Sequence, residues 1–144
     1  MSTSVTNTVD ITAEPDDVWA VVADLPATRW WLPGVVAVRM DGDVRICRMA
    51  DGQEIHERIS DLSPEGRSYR FEHLRVPLPV RHSGGTFTVT GGGAAGTATV
   101  TLRTTFAPLD PTAAGDLTGM IRQAFGRSLE SLRRYVEEKA PWDA

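Results

Sequence analysis

The chain has 144 residues, a net charge of −4 and a single cysteine, Cys47. Its length fits one domain, residues 1–144, and such a chain buries roughly 70% of the surface its unfolded form exposes, enough for a core with room for a cavity. The acidic balance argues against nucleic acid, which wants a basic face; the lack of a run of roughly 20 apolar residues argues against a membrane span; one cysteine excludes an internal disulfide. No basic segment followed by an apolar one opens the chain, so no secretory signal is expected, and a reducing, cytoplasmic setting is the expectation.

Residues 4–12 carry Val5, Val9 and Ile11 at odd positions with polar residues between, the pattern of a strand. Ala13-Glu14-Pro15-Asp16-Asp17 then opens a helix: proline suits the first helical position, and the aspartates favour the positive end of the helix dipole. Val18, Trp19, Val21 and Val22 form its buried side, and Asp24-Leu25-Pro26 ends it. Residues 27–32 form a second short helix, closed by Pro33-Gly34.

Six strands follow. Residues 35–40 and 44–49 flank Asp41-Gly42-Asp43, a hairpin signal, and Asp51-Gly52 is a second. Strands at 53–62 and 68–74 are separated by Ser63-Pro64-Glu65-Gly66. Pro77 and Pro79 make residues 76–80 a loop or frayed edge. Gly84-Gly85 inside the strand 81–90 predicts a bulge or bend. The last strand, 97–106, puts Val100, Leu102 and Phe106 on one face.

Residues 112–139 form one long amphipathic helix. Leu117, Ile121, Ala124, Phe125, Ser128, Leu129, Leu132 and Val136 make a stripe at three- and four-residue spacing. A single such helix needs a broad apolar surface, and only a sheet supplies it. Strands joined by short turns pair antiparallel. The predicted assembly is α+β: a seven-stranded, curved antiparallel sheet wrapped around the long C-terminal helix, with two short helices after the first strand.

Several phrases carry a family resemblance. They are Val9-Asp10-Ile11 with Ala13-Glu14-Pro15-Asp16-Asp17-Val18-Trp19, then Trp31-Leu32-Pro33-Gly34-Val35, Arg45, Asp51-Gly52 before Glu57-Arg58, and Tyr69-Arg70-Phe71. In this order the chain resembles the polyketide cyclase/dehydrase and lipid-transport family of the START-like, helix-grip superfamily. The resemblance implies a helix-grip fold with an internal cavity. It leaves the activity open, because the family spans aromatases, cyclases, lipid carriers and hormone receptors.

Strand parity proposes a site. A three-residue loop with left-handed Gly52 sets Cys47 opposite Ile55 and Arg45 opposite Glu57. Tyr69, Phe71 and His73 share the next strand's inner face, Ser83 and Phe87 the one after, and Thr104 the last. Arg45, Glu57, His73, Ser83 and Thr104 would thus form a polar row across an apolar concave face. In one reading they are a structural ion pair and a hydrogen-bonded core histidine. In the other, His73 moves a proton, Glu57 tunes it and Arg45 holds an enolate or phenolate oxygen, the services polyketide cyclisation and dehydration require. Trp30 or Trp31 stacks on a ligand ring at the cavity mouth or plugs the core, Tyr69, Phe71 and Phe87 supply aromatic lining, and Met120 and Gln123 face the cavity from the long helix.

No metal site is expected, since three scattered histidines and one cysteine lack ligand spacing, and no cofactor is called for. Gly91-Gly92-Gly93 precedes a strand, so it is no phosphate loop. The expected partner is a hydrophobic small molecule bound by a monomer or homodimer. A carrier, a cyclase or dehydratase, and a protein-interaction module with a vestigial cavity are the three readings; an exposed Trp31 beside Pro77-Leu78-Pro79 would favour the last.

Overall fold

The computed structural model describes residues 2–142. Strand β1 spans Thr3–Ile11, helix α1 Pro15–Ala23 and helix α2 Thr28–Trp31. Six strands follow: β2 Val35–Asp41, β3 Val44–Met49, β4 Glu54–Ser63, β5 Ser68–Arg75, β6 Val80–Gly91 and β7 Ala98–Pro108. Helix α3, Ala114–Glu138, is the last element. Single 3-10 turns at Leu25–Ala27 and Pro111–Ala113 lead into α2 and α3. The architecture is the predicted helix-grip one: a curved antiparallel sheet in the order β1-β7-β6-β5-β4-β3-β2, with α3 on its inner face.

Local chemistry sets the boundaries. Pro15 begins α1, and Asp16 and Asp17 occupy its first turn. Gly52 adopts φ +88° and closes the β3–β4 turn, a backbone state other residues reach only with strain. The Asp110 carboxylate accepts from the Thr112 N–H at 3.0 Å and caps the 3-10 turn before α3. Lys139, left-handed at φ +54°, ends α3.

The stripe of α3 buries Leu117, Ile121, Ser128, Leu129, Leu132 and Val136. Leu129, Leu132 and Val136 pack into one cluster with Ile11, Tyr69, Phe87, Val100 and Leu102 from the sheet and Val18, Trp19 and Val22 from α1. Leu117 and Ile121 meet Val5 and Phe106 in a smaller cluster at the other end. Two hydrogen bonds tie α3 to β1 and the residue that follows it: Asn7 Nδ2 donates to the Arg122 carbonyl at 3.0 Å, and the Thr12 N–H donates to Glu137 Oε2 at 2.8 Å.

One expectation changes. The sheet ladder runs through Gly84 and Gly85 without a register shift; the irregularity in β6 lies between Val80 and His82. The glycines serve close packing instead. A Cβ on Gly84 would sit 2.5 Å from the Phe71 carbonyl oxygen, and one on Gly85 2.5 Å from that of Arg103 and 2.7 Å from the Phe71 ring. Among the described residues no helix is long and apolar enough to cross a membrane.

Candidate functional site

The register brings four side chains into line. Arg45 of β3 pairs with Glu57 of β4, and Glu57 with His73 of β5. The β5–β6 ladder ends at Glu72–Gly84, so His73 and Ser83 face each other one position beyond it and meet through their side chains. Arg45 Nε donates to Glu57 Oε1 at 3.0 Å, Glu57 Oε2 lies 3.3 Å from His73 Nε2, and His73 Nδ1 lies 2.6 Å from Ser83 Oγ. A neutral His73 satisfies both of its contacts when Nε2–H points to Glu57 and Nδ1 accepts from the Ser83 hydroxyl. Arg45 Nη1 donates to Thr28 Oγ1 at 3.1 Å and to the Tyr69 hydroxyl at 3.2 Å, and Thr28 donates onward to the Leu25 carbonyl at 2.7 Å.

Burial makes these contacts strong. The Arg45, Glu57 and His73 side chains are 3%, 9% and 6% exposed. Burial alone would raise the Glu57 carboxyl, but the Arg45 charge and the His73 hydrogen bond outweigh it and hold the group at about 2. Burial pulls the Arg45 guanidinium down, and Glu57 more than restores it. Each charge is thus kept by the other. Cys47 lies on the same face, fully buried; burial pushes its thiol up to about 12, so it stays protonated and packs as a small apolar group.

The row borders a small internal cavity of about 40 Å³ between the sheet, α2 and α3. Its wall comprises Arg45, Glu57, Phe71, His73, Phe87 and Leu102 from strands, Thr28, Trp31 and the adjacent Leu32 from the α2 segment, and Phe125 and Ser128 from α3. Phe87 centres the aromatic side, 5.8 Å from Phe71 and 6.0 Å from Trp31, the latter edge-on.

Residues 2–137 match the sequence profile described as polyketide cyclase/dehydrase and lipid transport. The chain belongs to that family. Among curated proteins none matches it in sequence. Solved structures similar in fold include an uncharacterized protein from Bacillus thuringiensis (22% identity, 93% of this chain and 98% of that one, TM-score 0.87). The di-domain aromatase/cyclase BexL of the BE-7585A biosynthetic pathway is similar over 94% of this chain and 46% of its own (21% identity, TM-score 0.83). The Zhui aromatase/cyclase of Streptomyces sp. R1128 is similar over 96% of both chains (21% identity, TM-score 0.78). At these identities the likeness is one of fold.

Within this family member the predicted site residues separate. Arg45, Glu57, His73, Trp31, Phe71 and Phe87 line the cavity. Tyr69 and Ser83 stand behind that wall and support Arg45 and His73. Thr104 is buried but pairs with Val5 and Gly85, two positions along from the row, which ends at Ser83. Three expectations are corrected. Trp30 is 45% exposed, its ring under the Arg29 guanidinium at 4.4 Å, because adjacent positions on α2 point to different sides. Met120 is 47% exposed and Gln123 also faces outward, since both lie off the stripe that α3 turns to the sheet. Thr28, Leu32, Leu102, Phe125 and Ser128 are lining residues that the sequence argument did not assign to the cavity. Ser128, a hydroxyl inside an apolar stripe, carried a signal that could have found it.

Proposed function

We propose that this protein binds a small hydrophobic molecule, aromatic or polyketide-like, in the cavity between sheet and α3, as a carrier or a cyclase-like protein. The observation that carries this reading is the paired row of Arg45, Glu57 and His73, backed by Ser83, at the wall of a largely apolar cavity. Apolar side chains of similar volume would often serve stability as well or better, whereas ligand sites combine an apolar lining with a few placed polar groups. About 40 Å³ holds only a few waters, and a benzene-sized guest needs roughly 150 Å³. Binding therefore widens the cavity. The yielding wall is Trp31 at the end of α2, the adjacent Leu32 and Phe125 on α3, since the sheet wall is locked by its ladder.

A second reading, catalysis of cyclisation or dehydration, is favoured by one feature: His73 contacts a carboxylate through one ring nitrogen and a hydroxyl through the other. In that role His73 carries the proton, Glu57 tunes it and Arg45 stabilises a developing enolate or phenolate oxygen. The protein-interaction reading loses its expected support, because Trp31 is 1% exposed.

Native mass spectrometry of freshly purified protein, with extraction of anything bound, tests the first reading. A co-purifying hydrophobic molecule, or binding of an added aromatic compound, is the expected result; a protein that takes up neither overturns it. His73→Ala and Glu57→Gln then separate the roles. A carrier loses affinity at most, while a cyclase loses turnover and keeps binding.

A further inference from the structure

The cavity lies on the concave side of the sheet, and the convex side has a recess of its own. Gly84 forms its floor. In the ladder Gly84 stands between Glu72 of β5 and Thr105 of β7, and it puts no side chain between them. No larger residue fills the gap without displacing a strand, because a Cβ there would meet the Phe71 carbonyl oxygen at 2.5 Å. The result is an open depression of about 460 Å³, flanked by Arg70, Thr86 and Arg103. Its charge is one-sided. Register sets one row across five strands, Ser60–Arg70–Thr86–Arg103–Thr6, with two arginines and no carboxylate. Both arginines are exposed, and with one strand between them their Cα atoms lie about 10 Å apart. Among the described residues Arg103 forms no ion pair, and Arg70 has only Asp61 at 3.7 Å, with both side chains largely exposed. The next row, Arg58–Glu72–Gly84–Thr105–Ser4, holds one acid, Glu72, which lies 3.7 Å from Arg58. His82, exposed, also lines the recess. Like charges gathered on one sheet face repel, and these gather in a chain whose net charge is −4.

We propose that this recess is a binding site for a phosphate monoester, held as a dianion between Arg70 and Arg103. Each guanidinium presents a planar fork of donors that matches two phosphate oxygens. The Thr86 and Thr105 hydroxyls supply further donors on the same face, and the bare position at Gly84 leaves room for the group between them. A dianion matches both arginines, whereas a carboxylate or a sulfonate leaves one charge uncompensated. Glu72 is the one lining group that opposes an anion, and Arg58 offsets it from the strand beyond. The site lies on the opposite face of the sheet from the cavity, so it stands or falls apart from the reading of the guest.

The probes are methyl phosphate and methanesulfonate, two small tetrahedral anions that differ by one charge at about pH 8, well above the second phosphate pKa of about 6. Amide shifts in a proton–nitrogen correlation spectrum read the binding, with ionic strength held at about 0.1 M. The expected result is that methyl phosphate shifts the Gly84, Thr86 and Arg103 amides to saturation, and that methanesulfonate binds about tenfold more weakly. Arg70→Gln and Arg103→Gln change exposed side chains, so both variants should fold. Each should weaken methyl phosphate about tenfold, the low end for hydrogen bonds to charged groups. Arg127→Gln makes the same charge change at an exposed position of α3 and should leave binding unchanged. Vesicles of phosphatidylcholine with phosphatidic acid distinguish the source of the phosphate. Sedimentation with them that Arg103→Gln abolishes and Arg127→Gln does not assigns a lipid headgroup; methyl phosphate shifts without sedimentation assign a soluble ester. Equal binding of the two probes, or an equal loss in Arg127→Gln, overturns the site. So does the absence of both a saturable shift and Arg103-dependent sedimentation.

Discussion

At Glu57 two effects oppose each other, and their balance sets a pH dependence. Burial favours the neutral acid, but Arg45 and His73 favour the carboxylate, and the net result is a group at about 2 instead of 4.5. A depressed carboxyl contributes stability that is fully present above its unfolded value and is lost as the pH falls toward its folded one. The window is therefore about pH 4.5 down to 2, and the contribution is on the order of 3 kcal/mol. Chemical unfolding of wild type and Glu57→Gln across that window should give a steeper loss for wild type; parallel curves would contradict the ion-pair account. At neutral pH the variant should be less stable by up to about 3–5 kcal/mol, because it strands Arg45. Much of this row was legible in advance. Side-chain alternation has a period of two, so one correct turn at Gly52 placed Arg45 against Glu57. Trp30 and Trp31 were not separable the same way: they are identical and adjacent, and only the docking of α2 decides which one is covered.

Elements depend on segments far away in the chain. Helix α2 has only four residues, so its last carbonyls find no partner inside it. Trp142 fills that need: its N–H donates to the Trp30 carbonyl at 3.0 Å and its indole Nε1–H to the Arg29 carbonyl at 2.7 Å. The tail thereby fastens the helix that carries Thr28 and Trp31. Trp142→Ala should cost about 1–2 kcal/mol and speed hydrogen exchange of the α2 amides, read by mass spectrometry; unchanged α2 protection would refute the fastening. In β6 the prediction is steric. Gly84→Ala puts a methyl against the Phe71 carbonyl, a backbone atom that cannot swing aside, and should cost about 1–3 kcal/mol in a urea melt. A neutral substitution would show that the strands can part there. The paired glycines were visible in the sequence, but a bulge and a tight interstrand approach leave the same local mark.

For the whole molecule, the pairing of β1 with β7 joins Thr3 to Phe106 and Ile11 to Ala98. Most of the chain must be organised before that ladder closes, and non-local pairing is slow. Stopped-flow refolding should therefore have its main phase in milliseconds to seconds; a dominant microsecond phase would mean that local contacts govern folding. The order of elements, the inward faces of the strands and the apolar stripe of α3 followed from the sequence by itself, because periodicity and turn chemistry act over a few residues. The cavity's size, the burial of Trp31, the exposure of Met120 and Gln123 and the return of the tail to α2 were decided only in the tertiary structure. A cavity is a small difference between large packed volumes, and a partner a hundred positions away leaves no trace in local spacing.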